Sequence, residues 1–301
     1  MDKRILELFS DSRFERDLYE AAVRNLADTE NKLRFNNFAY AMRELTRHML
    51  HRLAPSDEVR KCVWWKSEIK GMKKKDDVTR VERAIYATQG GLSNHYMTKK
   101  LNLDFNESHE ALRDAIEQLS KYTHIELSVF GLSDGEVTRL VEEITSAVAG
   151  LAMAIKDCRS AVADRLSDAI GDAAVQQVLE TSLPEVDELA THYFAEEVVV
   201  YEQEVLSITS DSIFLRASGT IGVTLQWGSN SDVRNGDGAQ GKDTFDFTCE
   251  LTASTKAPDS DKLEYIENSI SIDTDHWFDT EDARNDEPDA PAVVVPKGLD
   301  F

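Results

Sequence analysis

The spacing of apolar residues changes once along this chain, and that change constrains the fold more than any other feature. Up to about residue 195, apolar residues recur every three or four positions, as on the buried faces of α-helices. The later segments alternate apolar with polar residues, or are rich in β-branched and aromatic residues, and Asp, Ser, Gly and Asn clusters separate them. They read EEVVVYEQEVLSIT, SIFLRASG, TIGVTLQWG and DTFDFTCELTA. The pattern predicts an α+β fold with antiparallel strands.

These two patterns divide the chain into three consecutive parts. We expect an all-α helical bundle over residues 1–190 and a small antiparallel β-domain over residues 191–275. Residues 276–301 form an acidic, proline-containing tail whose composition favours disorder, although Ala292–Val295 is compatible with a short edge strand. A chain of 301 residues is long enough for two domains.

Some helix boundaries can be read from capping patterns. Thr79 and Glu82 have the spacing of a capping box, and Gly90 and Gly91 suit the end of the same helix. Apolar residues at three- and four-residue steps predict one long helix over residues 134–169, which Gly171 is expected to end.

Composition and motifs exclude several classes of protein. No apolar run approaches 18 residues and no N-terminal apolar segment resembles a signal peptide, so we expect a cytoplasmic protein without membrane spans. The three cysteines are widely spaced, which predicts neither a disulfide framework nor a zinc site but small core residues. P-loop, H-E-x-x-H, G-x-S-x-G and Rossmann motifs are absent, which argues against most metabolic enzymes.

Charge is distributed unevenly along the chain. The formal net charge is −22, but residues 1–100 hold 21 Lys and Arg against 15 Asp and Glu. The other 201 residues hold 13 basic residues against 41 acidic ones. Because affinity for nucleic acid depends largely on basic side chains, only the first third is suited to contact a phosphate backbone.

The stretch RFNNFAYAMRELTRHMLHRLAP, residues 34–55, lies within this basic third and forms an amphipathic helix on a helical wheel. With Arg43 at 0°, the apolar residues fall in an arc between about 200° and 280°. A polar arc between about 20° and 140° holds Asn36, Arg47, Tyr40, His51, Glu44, Asn37 and His48. The helix is therefore expected to pack through one side and to present the other.

The residue types on the presented side suit phosphodiester chemistry. Arginine offers planar donors that match a phosphate, and histidine can transfer a proton near neutral pH. Together they provide what cleavage without a metal requires, a cation for the developing charge and an acid or base for the oxygen atoms. The alternative is an ordinary solvated face without chemistry.

Arg43 and His48 fit the R-x4-H form of an R-x4-6-H motif. In this motif the helix resembles the HEPN ribonucleases. That resemblance implies a HEPN-like bundle, metal-independent RNA cleavage by Arg43 and His48, and a homodimer in which two motifs face each other. HEPN enzymes are commonly toxins or antiviral effectors. Glu44 departs from the family, which often has a small polar residue at that position.

A wider resemblance covers most of residues 34–252. The segments AMRELTRHMLHRLAP, AIYATQGGL and VTLQWGSNSDVRNGDGA are similar to those of bacterial predicted nucleases associated with prokaryotic PIWI modules. This resemblance implies a role in defence, with other defence proteins as partners.

Other residues in the helical part are candidates for contacts with RNA. Arg47 and His51 lie four residues apart on the same face as Arg43, so they can act as a second pair or bind phosphate. A basic stretch surrounds CVWW and suits single-stranded RNA, unless its two tryptophans belong to the core and its lysines to a solvated loop. Its lysines are Lys61, Lys66, Lys70, Lys73, Lys74 and Lys75. His124 is expected to bind carbonyl groups at a helix end.

The β-domain contains a rival site. Asp232, Asp237, Asp243 and Asp246, with Glu250 nearby, lie on a glycine-rich connection and the strand that follows it. Clustered carboxylates can hold Mg²⁺ or Ca²⁺, but the spacing matches neither an EF-hand nor a restriction-type nuclease, and turns commonly contain Gly, Asn and Asp.

The preferred hypothesis is a metal-independent endoribonuclease that acts as a toxin-like effector in bacterial antiviral defence, without a cofactor. Arg43 and His48 are the predicted catalytic residues. The predicted substrate-binding residues are Asn36, Tyr40, Arg47 and His51. Two alternatives stay open: a noncatalytic adaptor of a defence complex, and a metal-dependent DNase that uses the carboxylates of the β-domain.

Overall fold

A computed structural model describes residues 2–69, 72–73, 78–259 and 262–278. Within these ranges the predicted α+β fold is confirmed, with helices first and a small antiparallel sheet after them. The helices are α1 (Lys3–Glu7), α2 (Arg13–Ala27), α3 (Arg34–Leu53), α4 (Ser56–Lys61), α5 (Arg80–Gln89), a π-helix (Tyr96–Lys100), α6 (Asn106–Tyr122), α7 (Asp134–Glu180), α8 (Pro184–Asp187) and α9 (Asn230–Asn235).

The strands form a short hairpin and a larger sheet. They are β1 (Glu68–Ile69), β2 (Met72–Lys73), β3 (His192–Ile208), β4 (Ser212–Trp227), β5 (Ala239–Ser254), β6 (Glu264–Tyr265) and β7 (Ser271–Asp273). The hairpin pairs β1 with β2, while the sheet has the order β3-β4-β5-β6 with β7 also beside β5. The part of the predicted tail from residue 279 onward, including Ala292–Val295, lies outside the described residues.

The described chain groups into two compact units that are discontinuous in sequence. The first unit comprises the described residues of Met1–Ala174, Glu202–Ala217 and Glu250–Ile266. The second comprises those of Val175–Tyr201, Ser218–Cys249 and Glu267–Phe301. One end of each long strand therefore belongs with the first unit. The boundaries at residues 190 and 275 stay predictions.

The first unit has a helical core centred on α3, which packs against α2, α5 and α6. Thr79 and Glu82 form the predicted capping box at the start of α5. The helix ends at Gln89 and is capped by Gly90, whose φ of 53° favours glycine. The largest fully buried side chains of this core are Ile5, Phe9, Tyr19, Phe35, Phe38, Met42, Leu45, Met49 and Leu50.

Helix α7 is longer than its sequence suggests, because it passes through Gly171 and continues to Glu180. The expectation that Gly171 ends this helix is wrong. A glycine inside a helix costs only about 1 kcal/mol, and burial of the apolar residues around it outweighs that cost. Ile170 and Ala174 are both fully buried.

Strand β4 likewise passes through a glycine, and so joins two segments that the sequence pattern separated. A Cβ at Gly219 would lie 2.1 Å from the carbonyl oxygen of Val199 and 2.7 Å from the ring of Phe247. Side chains of β4 alternate in burial on both sides of Gly219. The glycine therefore marks a close approach of neighbouring groups rather than a turn.

The second unit buries apolar side chains of the central strands, among them Ile221, Val223, Leu225, Phe245 and Phe247. Trp227 and Trp277 stack with ring centroids 6.0 Å apart. The Asp- and Gly-rich connection before β5, expected to be a loop, contains helix α9 with a capping box between Ser229 and Asp232. Within the described residues of both units the three cysteines are buried and form no disulfide bond, as predicted.

Candidate functional site

Helix α3 positions all six predicted site residues. It begins at Arg34 and ends at Leu53. Pro55 follows two residues later, and a proline there prevents the helix from continuing. Its apolar side is buried except at Leu53, which is partly buried, so the opposite side is held in a defined orientation. On that side Tyr40, Arg47 and His51 are exposed and Arg43 and His48 are half-buried. The predicted substrate-binding residue Asn36 is the exception, because it is 95 % buried, with a relative exposure of 5%.

His48 and Arg47 contact each other directly. Arg47 Nη2 lies 3.1 Å from His48 Nε2. Because a guanidinium group only donates hydrogen bonds, His48 Nε2 must accept, which leaves the ring proton on Nδ1. The ring of Phe14 meets the His48 ring edge-on at a centroid distance of 5.3 Å. These contacts orient the imidazole at the protein surface.

Arg43 points toward the end of α6. Its Nη1 donates to Thr123 Oγ1 at 3.0 Å, and Thr123 Oγ1 donates to the Ser120 carbonyl oxygen at 2.8 Å. This chain of hydrogen bonds fixes the guanidinium group of Arg43, whose side chain is 35% exposed. An anion that reaches this surface can therefore meet an oriented donor.

Glu44 lies between the two arginines on the helix surface. Its carboxylate accepts from Arg47 Nε at 2.9 Å and lies 3.9 Å from Arg43 Nε. These are ordinary surface ion pairs, which are worth about 0–1 kcal/mol and which a phosphate can replace. Glu44 therefore offsets part of the positive charge of this face.

Asn36 joins α3 to α6 in the interior. Its Nδ2 donates to the Tyr122 carbonyl oxygen at 2.9 Å, while its Oδ1 is buried without a hydrogen bond to any residue that the structure describes. Asn36 is therefore placed to position α3 rather than to meet a substrate, and we leave it out of the exposed group. We name the exposed and half-buried residues the α3 face: Tyr40, Arg43, Glu44, Arg47, His48 and His51.

His51 extends the α3 face toward another basic group. Burial lowers the pKa of His51 below its ordinary value, and the charges of Arg83 and Arg47 lower it further. His51 is therefore neutral at pH 7. Arg83 is fixed by hydrogen bonds to the Ala54 carbonyl oxygen and to Ser56 Oγ.

The basic and aromatic stretch has a structural role in its described part. Trp64 and Trp65 pack against the small core cluster of Ala54, Val59, Cys62, Val78 and Tyr86, as the core alternative predicts. Trp64 Nε1 also donates to the Gly90 carbonyl oxygen at 2.8 Å, and Lys61 pairs with Glu58 at 2.6 Å. Lys70, Lys74, Lys75 and the side chain of Lys73 lie outside the described residues.

Three of the five carboxylates of the rival site contact other groups. Asp232 caps α9, Asp243 lies 3.4 Å from His276 Nε2, and Glu250 accepts from Arg216 at 2.7 Å. Within the described ranges no group of three or more His, Cys, Asp and Glu side chains is arranged to hold a metal ion.

Sequence reasoning missed a second polar region on α7. Lys156 and Arg159 lie one turn apart and line a cleft of the first unit together with Arg52 of α3. In the sequence, Lys156 follows the apolar residue Ile155, and Arg159 follows Cys158. The helical pattern indicated only that Ile155 and Cys158 pack in the core, and the basic residues beside them were the signal for this region.

The fold and the α3 face define an α+β protein with an accessible group of arginines and histidines. Two family models, each described as "Predicted pPIWI-associating nuclease", match residues 6–148 and 155–278. Together they cover most of the chain, which therefore belongs to the predicted pPIWI-associating nucleases. Comparison with curated proteins gave no match, and neither did comparison with solved structures. Among the helices in the described ranges, none has the length and apolar composition needed to cross a membrane.

Proposed function

We propose that this chain is a metal-independent endoribonuclease that acts in the cytoplasm as a toxin-like effector of bacterial antiviral defence. The observation that carries the proposal is the direct contact between Arg47 and His48 on a half-exposed helix face that also presents Arg43. The family to which the chain belongs supports a nuclease, and the resemblance of Arg43 and His48 to the R-x4-H motif supports RNA as the substrate.

The proposed reaction begins when a phosphate of RNA binds the guanidinium groups of Arg43 and Arg47. Arg47 then releases His48 Nε2, which accepts the proton of the adjacent 2′-hydroxyl group. The 2′-oxygen attacks the phosphorus, the bond to the 5′-oxygen breaks, and the products are a 2′,3′-cyclic phosphate and a 5′-hydroxyl end. The leaving oxygen takes a proton from water or from a second active site in a homodimer. Tyr40 and the neutral His51 lie beside this position and bind the substrate.

Substitution tests this role directly. Arg43→Ala and His48→Ala should each reduce cleavage of single-stranded RNA by at least about 100-fold, because each removes charge stabilisation or proton transfer. Arg24→Ala is the matched control, since Arg24 makes an exposed helix ion pair with Glu20 on α2. Cleavage is measured on purified protein with RNA and with DNA, each with and without EDTA.

Equal cleavage by the wild type and both variants would rule out the α3 face as the active site. Loss of activity in EDTA, or a preference for DNA, would favour a metal-dependent DNase instead. Expression in cells should be toxic for the wild type and harmless for Arg43→Ala and His48→Ala if the toxin role is correct.

A noncatalytic adaptor is the second candidate, and the position of Glu44 favours it. Glu44 contacts both arginines and so weakens the field that a substrate phosphate would meet. In this case the α3 face binds a partner protein, such as the PIWI-like protein that the family name implies. Purified protein would then cleave neither RNA nor DNA, but would recover a stable complex with that partner in a pull-down.

A further inference from the structure

The first unit contains a cleft of about 760 Å³ that lies apart from the α3 face. None of the six residues of the α3 face lines it. Its walls come from the α1–α2 region, the end of α3, α5, α7 and the end of β3. Its size falls in the range of about 300–1,000 Å³ that small-molecule sites occupy.

Arg159 is the partly buried charged group of this cleft, and it has no partner among the residues that the structure describes. Its guanidinium group makes no hydrogen bond or ion pair with any residue in the described ranges. Glu204 of the cleft wall acts on Arg159 only through its charge, and its carboxylate is already paired with Arg216 at 3.2 Å. Arg159 is partly buried, and this burial lowers the pKa of its guanidinium group below the ordinary value.

The other charges of the cleft are mostly neutralised or exposed. Arg52 is held by the buried Glu15, and Glu58 accepts from both Lys61 and Ser210. Glu7 and Asp11 are exposed, where water solvates them. Lys156 is exposed one turn before Arg159 on α7 and makes no ion pair within the described chain.

An arginine in this state has an energetic cost. A partly desolvated cation without a partner is unfavourable, and proteins usually pair such a group with a carboxylate. Here an anionic ligand can supply the missing partner, because a guanidinium group matches the geometry of a phosphate. Aliphatic side chains, including Leu53, Ile155 and Ile208, form much of the remaining wall.

We propose that this cleft binds a small organic phosphate of nucleotide size, with its phosphate on Arg159 and Lys156. The apolar body of the ligand packs against the aliphatic wall, and Ser160, Ser207 and Gln203 are placed on the wall to bind sugar hydroxyl groups. This site is separate from the proposed nuclease site and does not depend on it.

Calorimetric titration of the full chain tests the proposal, with AMP, ribose 5-phosphate, inorganic phosphate and adenosine as probes. AMP should bind, and adenosine should bind at least about tenfold more weakly, because it lacks the charged group. Arg159→Gln should weaken AMP binding by about tenfold or more, and Lys156→Gln by less. Arg139→Gln is the matched control on the same helix, where Arg139 makes an exposed ion pair with Glu143.

Thermal unfolding without ligand distinguishes a binding residue from a structural one. Arg159→Gln should unfold at the same temperature as the wild type or a higher one, because it removes a cation that has no partner in the described part of the chain. AMP should raise the unfolding temperature of the wild type but not that of Arg159→Gln.

Three results would overturn the proposal: no binding of AMP, ribose 5-phosphate or inorganic phosphate; equal AMP binding by Arg159→Gln and the wild type; or a clear loss of stability in Arg159→Gln without ligand. Stronger binding of ribose 5-phosphate than of AMP would replace the nucleotide with a sugar phosphate as the ligand. RNA cleavage is measured on the same Arg159→Gln variant, so that a failure of the α3 face as a nuclease site is distinguished from a failure of the cleft as a phosphate site.

Discussion

His48, His51 and His109 lie in the first unit in three different surroundings. His48 is half-exposed and accepts from Arg47, while the pKa of the more exposed His51 is lowered first by partial burial and then by neighbouring basic residues. His109 is buried, and its Nε2 lies 3.0 Å from Thr88 Oγ1. Because Thr88 Oγ1 donates to the Ala84 carbonyl oxygen, His109 is the donor in this contact. Histidine therefore lies at the surface at two of these positions and is a neutral core residue at the third.

The burial of His109 should make stability depend on pH. Desolvation lowers the pKa of His109 to about 4, whereas an unfolded histidine has a pKa of about 6.5. Above pH 6.5 the residue is neutral in both states; as the pH falls toward 4, the unfolded state binds a proton first and the folded state loses stability. Between pH 7 and pH 4.5 the wild type should lose roughly 2 kcal/mol more than His109→Gln.

Urea unfolding at several pH values measures this difference, since the carboxylates contribute equally to both proteins. Parallel loss of stability in the wild type and His109→Gln would show that His109 does not carry the effect.

At the scale of elements, two glycines that look like breaks lie inside regular structure. Gly171 lies within α7 and Gly219 within β4. In α7 the burial of neighbouring apolar residues outweighs the glycine cost. In β4 the missing side chain is what allows Val199 and Phe247 to approach. A local pattern cannot distinguish these cases from a turn, because the deciding atoms come from other elements.

Gly219 and its neighbour Gly222 provide a test within one strand. A Cβ at Gly219 would overlap the Val199 carbonyl oxygen at 2.1 Å, while the nearest atoms to a Cβ at Gly222 lie 3.8 Å away. Gly219→Ala should therefore reduce the free energy of unfolding by about 1–3 kcal/mol. Gly222→Ala should stay within about 0.5 kcal/mol of the wild type. Urea unfolding measures both, and equal stability of the two variants would contradict the close approach.

At the scale of the whole molecule, the first unit unites segments that are far apart in the chain. The Gly91 amide donates to the Thr209 carbonyl oxygen at 2.8 Å, and Ser210 Oγ donates to Glu58 at 2.5 Å. The Thr255 hydroxyl donates to the Ser210 carbonyl oxygen at 3.0 Å. The turn between β3 and β4 therefore packs with the helices of its own unit, although more than a hundred residues separate them.

Gly91→Ala should loosen this arrangement. A Cβ at Gly91 would lie 1.9 Å from the Ser210 carbonyl oxygen, whereas a Cβ at Gly135 would meet nothing within 4 Å. We expect Gly91→Ala to lose about 1–3 kcal/mol and Gly135→Ala to lose none. Hydrogen exchange should show that α5 and residues 202–217 lose protection together. Loss of protection in α5 alone would contradict their cooperation in one unit.

The candidate site was predictable only in part. The helical wheel correctly separated the buried residues of α3 from Tyr40, Arg47 and His51, because amphipathic periodicity reports burial directly. It misplaced Asn36, which lies at the edge of the polar arc where the end of α6 covers α3. Whether Arg43 and His48 cleave RNA stays a prediction.

The sequence by itself determined the α+β class, the switch from helices to strands and the buried faces of the helices and strands. Each of these follows from the spacing of apolar residues, which the local backbone geometry of a helix or a strand sets. The tertiary structure alone decided that Gly219 lies inside a strand, that Asn36 is buried and that Arg159 lines a cleft without a partner in the described ranges. Each of these depends on atoms from distant segments, and their positions are set only when the chain has folded.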